Sequence, residues 1–331
     1  MATAMLALVI VLSVIFDFIN GFHDTANSIA TSVSTRVLTP RAATLMSASL
    51  NFAGALVSVN VANTIATGIV LGPLKQYVIA AALCGAIVWN LITWYIALPS
   101  SSSHALIGSL VGAAVVVTGN IRIVNWTNIL DKVILPLFSS PAIGFVIGYF
   151  VMKLLFFLLR RAKQRTVNQC FSKLQIFSAA LMAYSHGSND AQKTMGIITM
   201  ALVGGGFIGA KDGIPLLVKL VCAVAMACGT SLGGWRIIKT VGMNMIKLQP
   251  IEGFAAETSA AAVIQIMTAL GSPVSTTHVI SSAIMGVGSA KRFSAVNWST
   301  AKSIVTAWFV TFPATILLGA GFTLIFKTFF S

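Results

Sequence analysis

Apolar runs recur along the whole chain, near residues 2–21, 43–70, 77–98, 104–118, 133–159, 172–186, 216–234, 255–271, 279–290 and 303–326. Most approach the roughly 20 residues with which a helix crosses a bilayer. A soluble core does not account for them. Of the residues 57% are hydrophobic and only 8% charged, where a soluble domain carries about a quarter charged residues. A spanning barrel would show alternating segments of about ten residues instead. The chain is therefore expected to be an all-α polytopic membrane protein with about 10–12 transmembrane helices, and its first partner is the lipid bilayer. The net charge of +14 is not a sign of nucleic acid, because Lys and Arg sit mainly in the short connections. There they face anionic headgroups and set orientation. The four cysteines have no paired spacing that implies a disulfide framework or a zinc motif.

The second constraint is repetition. Asn20–Asn27 reads N-G-F-H-D-T-A-N, and His186–Lys193 reads H-G-S-N-D-A-Q-K. Pro99–His104 reads P-S-S-S-S-H, and Pro273–His278 reads P-V-S-T-T-H. Asp24 and His104 are 80 residues apart, Asp190 and His278 88. Two different motifs in the same order at nearly the same separation mark an internal duplication. The division is 1–159 for the first repeat, 160–173 for a basic cytoplasmic connection and 174–331 for the second repeat. Each half carries five apolar runs, an odd number, so the second half is expected to be inverted. With Arg160–Lys173 inside, most basic residues also fall inside, among them Arg36, Arg41, Arg236, Lys239, Lys291 and Arg292. Both termini then lie outside. The motifs are expected at connections that dip inward and converge near the midplane. Stretches 25–38 and 191–209 are left open between full spans, half-helices and re-entrant segments. Inverted repeats with broken helices around a midplane site are the architecture of an alternating-access transporter.

Few residues in such a chain can carry chemistry. Asp24, Asp190 and Glu257 lie in or beside apolar segments, where a charge costs roughly 2.5–3.5 kcal/mol on insertion scales. All four histidines (His23, His104, His186, His278) fall inside the four motifs. His104, His186 and His278 are read as orienting groups rather than metal ligands, since no H-E-x-x-H or comparable spacing exists. The hydroxyls of Ser101, Ser102 and Ser103, and those of Ser275, Thr276 and Thr277, sit at expected helix starts. A helix N-terminus offers unpaired N–H donors and about half a positive charge, which suits an oxyanion. Ordinary helix capping is the plainer use of the same residues. Carboxylates beside an anion repel it, so Asp24, Asp190 and Glu257 are better placed to hold a proton or cation that accompanies it.

At these residues the chain resembles the PiT family of inorganic phosphate transporters. The resemblance rests on N-G-F-H-D-T-A-N at 20–27, H-G-S-N-D at 186–190, G-F-A-A-E at 253–257 and P-V-S-T-T-H at 273–278. It implies secondary active phosphate uptake without a resident cofactor, with Asp24, Asn27 and Asp190 in the substrate and ion site. It further implies phosphate contacts from the Ser/Thr turns, a homodimer, and a multi-pass place in a prokaryotic inner (plasma) membrane. His23 and Asn189 join the coupling-ion candidates through the same motifs. Much of the family repeats N-D-x-A-N in both halves, whereas here Gln192 and Lys193 occupy the last two positions of the second. They join the substrate-site candidates, and the departure resembles the bacterial branch, for which proton coupling and metal–phosphate cargo are expected over sodium. Lys193 could instead snorkel to the outer headgroups. The rival readings are a sulfate permease of the same fold, a membrane-embedded metal-dependent hydrolase and a passive channel.

Overall fold

A computed structural model of the chain describes residues 2–330 and consists of helices, with no strand among the described residues. The first half runs α1 (Ala2–Ser34), α2 (Pro40–Ala55), α3 (Asn60–Gly68), α4 (Gln76–Tyr95), α5 (Ser102–Thr118), a 3-10 turn at Ile121–Ile123, α6 (Trp126–Ile129) and α7 (Leu135–Leu159). The second half runs α8 (Gln164–Gly204), α9 (Leu216–Leu232), α10 (Trp235–Lys239), α11 (Pro250–Ala269), α12 (Thr276–Lys291), a 3-10 turn at Phe293–Ala295 and α13 (Trp298–Phe330). The order recurs: a long helix, a bent pair, a helical hairpin, a 3-10 turn and a closing helix. The bends at α2–α3 and α9–α10 are 63° and 61°. A π-helical stretch at Leu130–Ile134 joins α6 to α7.

Four of these runs (Thr3–Ser34, Gln76–Tyr95, Trp126–Leu159 and Trp298–Phe330) are long and apolar enough to cross a membrane alone, and each bent pair passes the same test jointly. Exposed apolar side chains such as Phe150, Phe157, Leu217 and Leu317 cover the outside, where lipid is the solvent. The long helices α1 and α8 run antiparallel. Thr35, just past α1, donates to Gln175 near the start of α8 at 2.9 Å, while Asp17 lies beside Thr194 toward the end of α8. This is the relation expected between inverted repeats.

The halves are interlocked rather than laid side by side. α5 packs on α13 and α12 on α7, while α1 packs on α9 and α8 on α2 and α3. At two of these crossings the backbones nearly touch. A Cβ on Gly187 would lie 2.2 Å from the Asn51 carbonyl oxygen, and one on Gly229 2.0 Å from that of Phe18. Only glycine permits such approaches.

Three expectations are corrected. The H-D-T-A-N and H-G-S-N-D motifs do not sit at connections, because 25–34 continues α1 and 191–204 continues α8. Polar residues end a hydropathy run without ending a helix. Thr25, Ser28 and Ser32 donate to the carbonyls of Gly21, Thr25 and Ile29 on the preceding turn, which satisfies each hydroxyl inside the helix. The run 43–70 is not one span but the bent pair α2–α3. Residues 160–173 are a connection only at Arg160–Lys163, since α8 begins at Gln164.

Candidate functional site

The middle of α1, the middle of α8 and the first turns of α5 and α12 meet inside the bundle. None of the polar site candidates in these motifs is more than 3% exposed. They form an occluded site rather than a surface cleft.

The two hairpins place their second helices head to head. Ser101 accepts from the His104 N–H and Ser275 from the His278 N–H, each at 3.2 Å. These two hydroxyls are therefore the N-caps of α5 and α12. Ser103 donates to the Val274 carbonyl at 2.9 Å, which ties one N-terminus to the turn before the other. The His104 and His278 rings stack at 5.1 Å, and His278 stacks on Trp308 at 4.2 Å. Both histidines thus brace the junction, in keeping with an orienting part.

The remaining hydroxyls face the long helices. Ser102 donates to Asp24 at 2.8 Å, and the His23 ring bridges Asp24 at 2.6 Å to Thr93 at 3.0 Å. Across the junction Thr276 lies 3.4 Å from Asp190, and Asn27 donates to Thr277 at 2.8 Å and Thr276 at 3.2 Å. Lys193 is fully buried and donates to Asp190 at 2.6 Å. It does not reach the headgroups. The ring of His186 bonds Asn51 through Nδ1 at 3.2 Å and holds Nε2 3.5 Å from Asp190. Asp24, His186 and Asp190 each bring one ligand atom to within 4.8 Å of the others.

Two candidates are engaged elsewhere. The Gln192 carbonyl accepts from the N–H groups of Val61 and Ala62 at 2.9 and 3.1 Å. It serves the first turn of α3 at the α2–α3 bend, while its amide donates to the Ser188 carbonyl. Glu257, on α11, accepts from Thr31, Gln175 and Ser178, a separate cluster next along α1 from Asn27. Asn189 donates to Thr268 at 2.8 Å and to the Ser272 carbonyl at 3.3 Å, which fastens α8 to the second hairpin.

Sequence reading passed over Thr93, Asn51, Thr268 and Asp17. The first three lie outside the repeated motifs, and no local pattern marks them. Asp17 had a signal: it is one of only seven acidic residues and falls inside the first apolar run.

Chemically the site offers two carboxylates, one ammonium, two helix N-termini and a set of hydroxyl and amide donors. With one carboxylate matched by Lys193, the other leaves room for a single positive charge beside a donor-rich junction. Such a site suits a cation or proton and an oxyanion together.

The sequence matches the phosphate transporter family over residues 20–319. It is 47% identical over 317 residues to a Bacillus subtilis protein named "probable low-affinity inorganic phosphate transporter", covering 95% of this chain and 94% of that one. A Rhizobium meliloti protein of the same name is 47% identical over 322 residues, covering 97% and 96%. Among solved structures, one described as the sodium-dependent phosphate transporter superposes with a TM-score of 0.85 at 26% identity, covering 98% of this chain and 99% of that one.

Proposed function

The chain belongs to the phosphate transporter family, and from that premise we propose that it carries inorganic phosphate into the cell by alternating access, coupled to protons. The observation that carries this reading is the junction of α5 and α12. Two helix N-termini face each other, and Ser102 and Thr276 reach from them to Asp24 and Asp190. Phosphate suits such a junction better than sulfate. Its oxygens accept from the first-turn N–H groups and hydroxyls, while a P–O–H proton can be donated to a carboxylate. Sulfate is fully ionised at neutral pH and would meet the carboxylates with no proton to share.

The relatives and the fold support transport over hydrolysis, and so does the duplicated form of the site. A divalent metal travelling with phosphate is a second form of cargo, and the Asp24–His186–Asp190 cluster favours it. We extend the proposal to a prokaryotic inner membrane, with both termini outside, and to a homodimer, the latter on the family resemblance alone. Substrate choice is tested by radiolabelled phosphate uptake into proteoliposomes. A large excess of unlabelled phosphate is expected to suppress the label, while the same excess of sulfate leaves most of it. Equal suppression by sulfate would contradict the assignment.

A further inference from the structure

One face of α1 carries a stripe of buried polar side chains, Ser13, Asp17, Asn20, Asp24, Asn27 and Thr31, at helical spacing. The inner part of the stripe is used: Asp24, Asn27 and Thr31 all have partners described above. The outer part is not. The Ser13 hydroxyl, both oxygens of Asp17, the Asn20 amide and the facing Thr194 hydroxyl on α8 are fully buried without hydrogen-bond partners. Thr194 and Asn20 are the polar side chains beside Asp17, but neither lies in hydrogen-bonding geometry with it.

An ionised carboxylate taken from water into such a place costs several kcal/mol unless it is paired. The nearest cation, Lys193, is already committed to Asp190 at 2.6 Å. From the packed helices the other ionisable groups near Asp17 are Asp190 on α8 and the Cys222 thiol on α9. α4, also packed on α1, carries no Asp, Glu, His, Lys or Arg. His23 and Asp24 lie about 10 Å further along the α1 axis. Lys193 is the one cation near enough to favour a negative charge at Asp17, and Asp190 already holds it.

We propose that Asp17 is the site at which the coupling proton binds and rides through the transport cycle. The inference rests on the proton-coupled reading of the preceding section and adds the residue that carries it. With its proton bound, Asp17 is neutral and leaves Lys193 at Asp190, beside the anion junction. When the O–H bond breaks and the proton leaves to water on the inner side, the new carboxylate competes with Asp190 for Lys193. Drawing the ammonium away weakens the hold on phosphate, so release of proton and release of phosphate assist each other, as linkage requires. With the N-terminus outside, Ser13 lies outward of Asp17 on the side from which the proton arrives, and Asn20 lies inward of it, toward the main site.

The test uses the full chain in proteoliposomes, with Asp17→Asn, Asp17→Ala and Asp17→Glu beside the wild type. Two assays are run: accumulation of labelled phosphate under an inward proton gradient, and exchange of labelled for unlabelled phosphate with no gradient. For Asp17→Asn and Asp17→Ala, accumulation is expected to fall at least tenfold while exchange stays within about threefold of wild type. Exchange needs no net proton movement. Asp17→Glu, which keeps the carboxyl, is expected to retain accumulation. Three outcomes overturn the assignment: accumulation intact without a carboxyl at this position, exchange lost together with accumulation, or a Glu variant no better than Asn. Wild-type protein that accumulates phosphate only with sodium defeats the proton-coupled reading itself, and it does so before any variant is compared.

Discussion

Asp24→Asn and Asp190→Asn are each expected to leave a folded protein in the membrane and to reduce phosphate uptake on the order of a hundredfold, equivalent to about 2.7 kcal/mol. Asparagine has the same shape as aspartate and can still accept from Ser102 or Thr276, so the junction of α5 and α12 keeps its geometry. The negative charge is what disappears. Without it the site can no longer hold a cation beside the incoming anion, nor accept the phosphate's own proton, which distinguishes it from sulfate. The two variants differ in stability. Asp24→Asn removes a charge whose neighbours are His23 and Ser102. Asp190→Asn leaves the Lys193 ammonium buried without its partner, a disruption that costs about 3–5 kcal/mol in buried pairs. Uptake is therefore compared at equal amounts of monodisperse protein. Near wild-type uptake by either variant removes that residue from the mechanism.

Lys193→Asn is expected to change which ion drives transport. Lys193 occupies the repeat position matched by Asn27 and lies fully buried against Asp190. An ammonium at that point fills the place where a sodium ion would neutralise the carboxylate, and it repels sodium from the surroundings. The solved neighbour is described as sodium-dependent, at 26% identity. Wild-type uptake here is expected to persist without sodium. In Lys193→Asn the Asp190 carboxylate loses its fixed partner, so proton-driven uptake should fall at least tenfold, about 1.4 kcal/mol, and added sodium should restore part of it. Uptake measured across sodium concentrations at constant ionic strength decides this. A variant whose uptake is unchanged and still indifferent to sodium would remove Lys193 from ion selection.

The repeats, the four motifs and their convergence were legible in the sequence because duplication writes the site twice. Asp24 has its counterpart in Asp190, His104 in His278 and one Ser/Thr turn in the other, and inversion brings the counterparts together. Helix continuity through 25–34 and 191–204 was not legible, because hydropathy registers the hydroxyls and not the carbonyls that satisfy them. Within the Ser/Thr turns, Ser101 and Ser275 cap their helices while Ser102 and Thr276 reach toward the carboxylates of the long helices. Spacing cannot separate the two, since adjacent residues in a first turn point to different places. Gln192 shows the same limit from the other side: a polar residue within a motif was taken up by the bend between α2 and α3, a feature that lies 130 residues away. Lys193 could be read as a headgroup anchor or a site residue, and spacing alone does not show that it is buried against Asp190.

The central claim is active, proton-coupled phosphate transport, and the measurement that bears on it most directly is accumulation of labelled phosphate in proteoliposomes under imposed gradients. With an inward proton gradient and no sodium, internal phosphate is expected to rise above the external concentration and to fall back when the gradient is collapsed. Phosphate that only equilibrates, or that accumulates under a sodium gradient and ignores the proton gradient, would contradict the account.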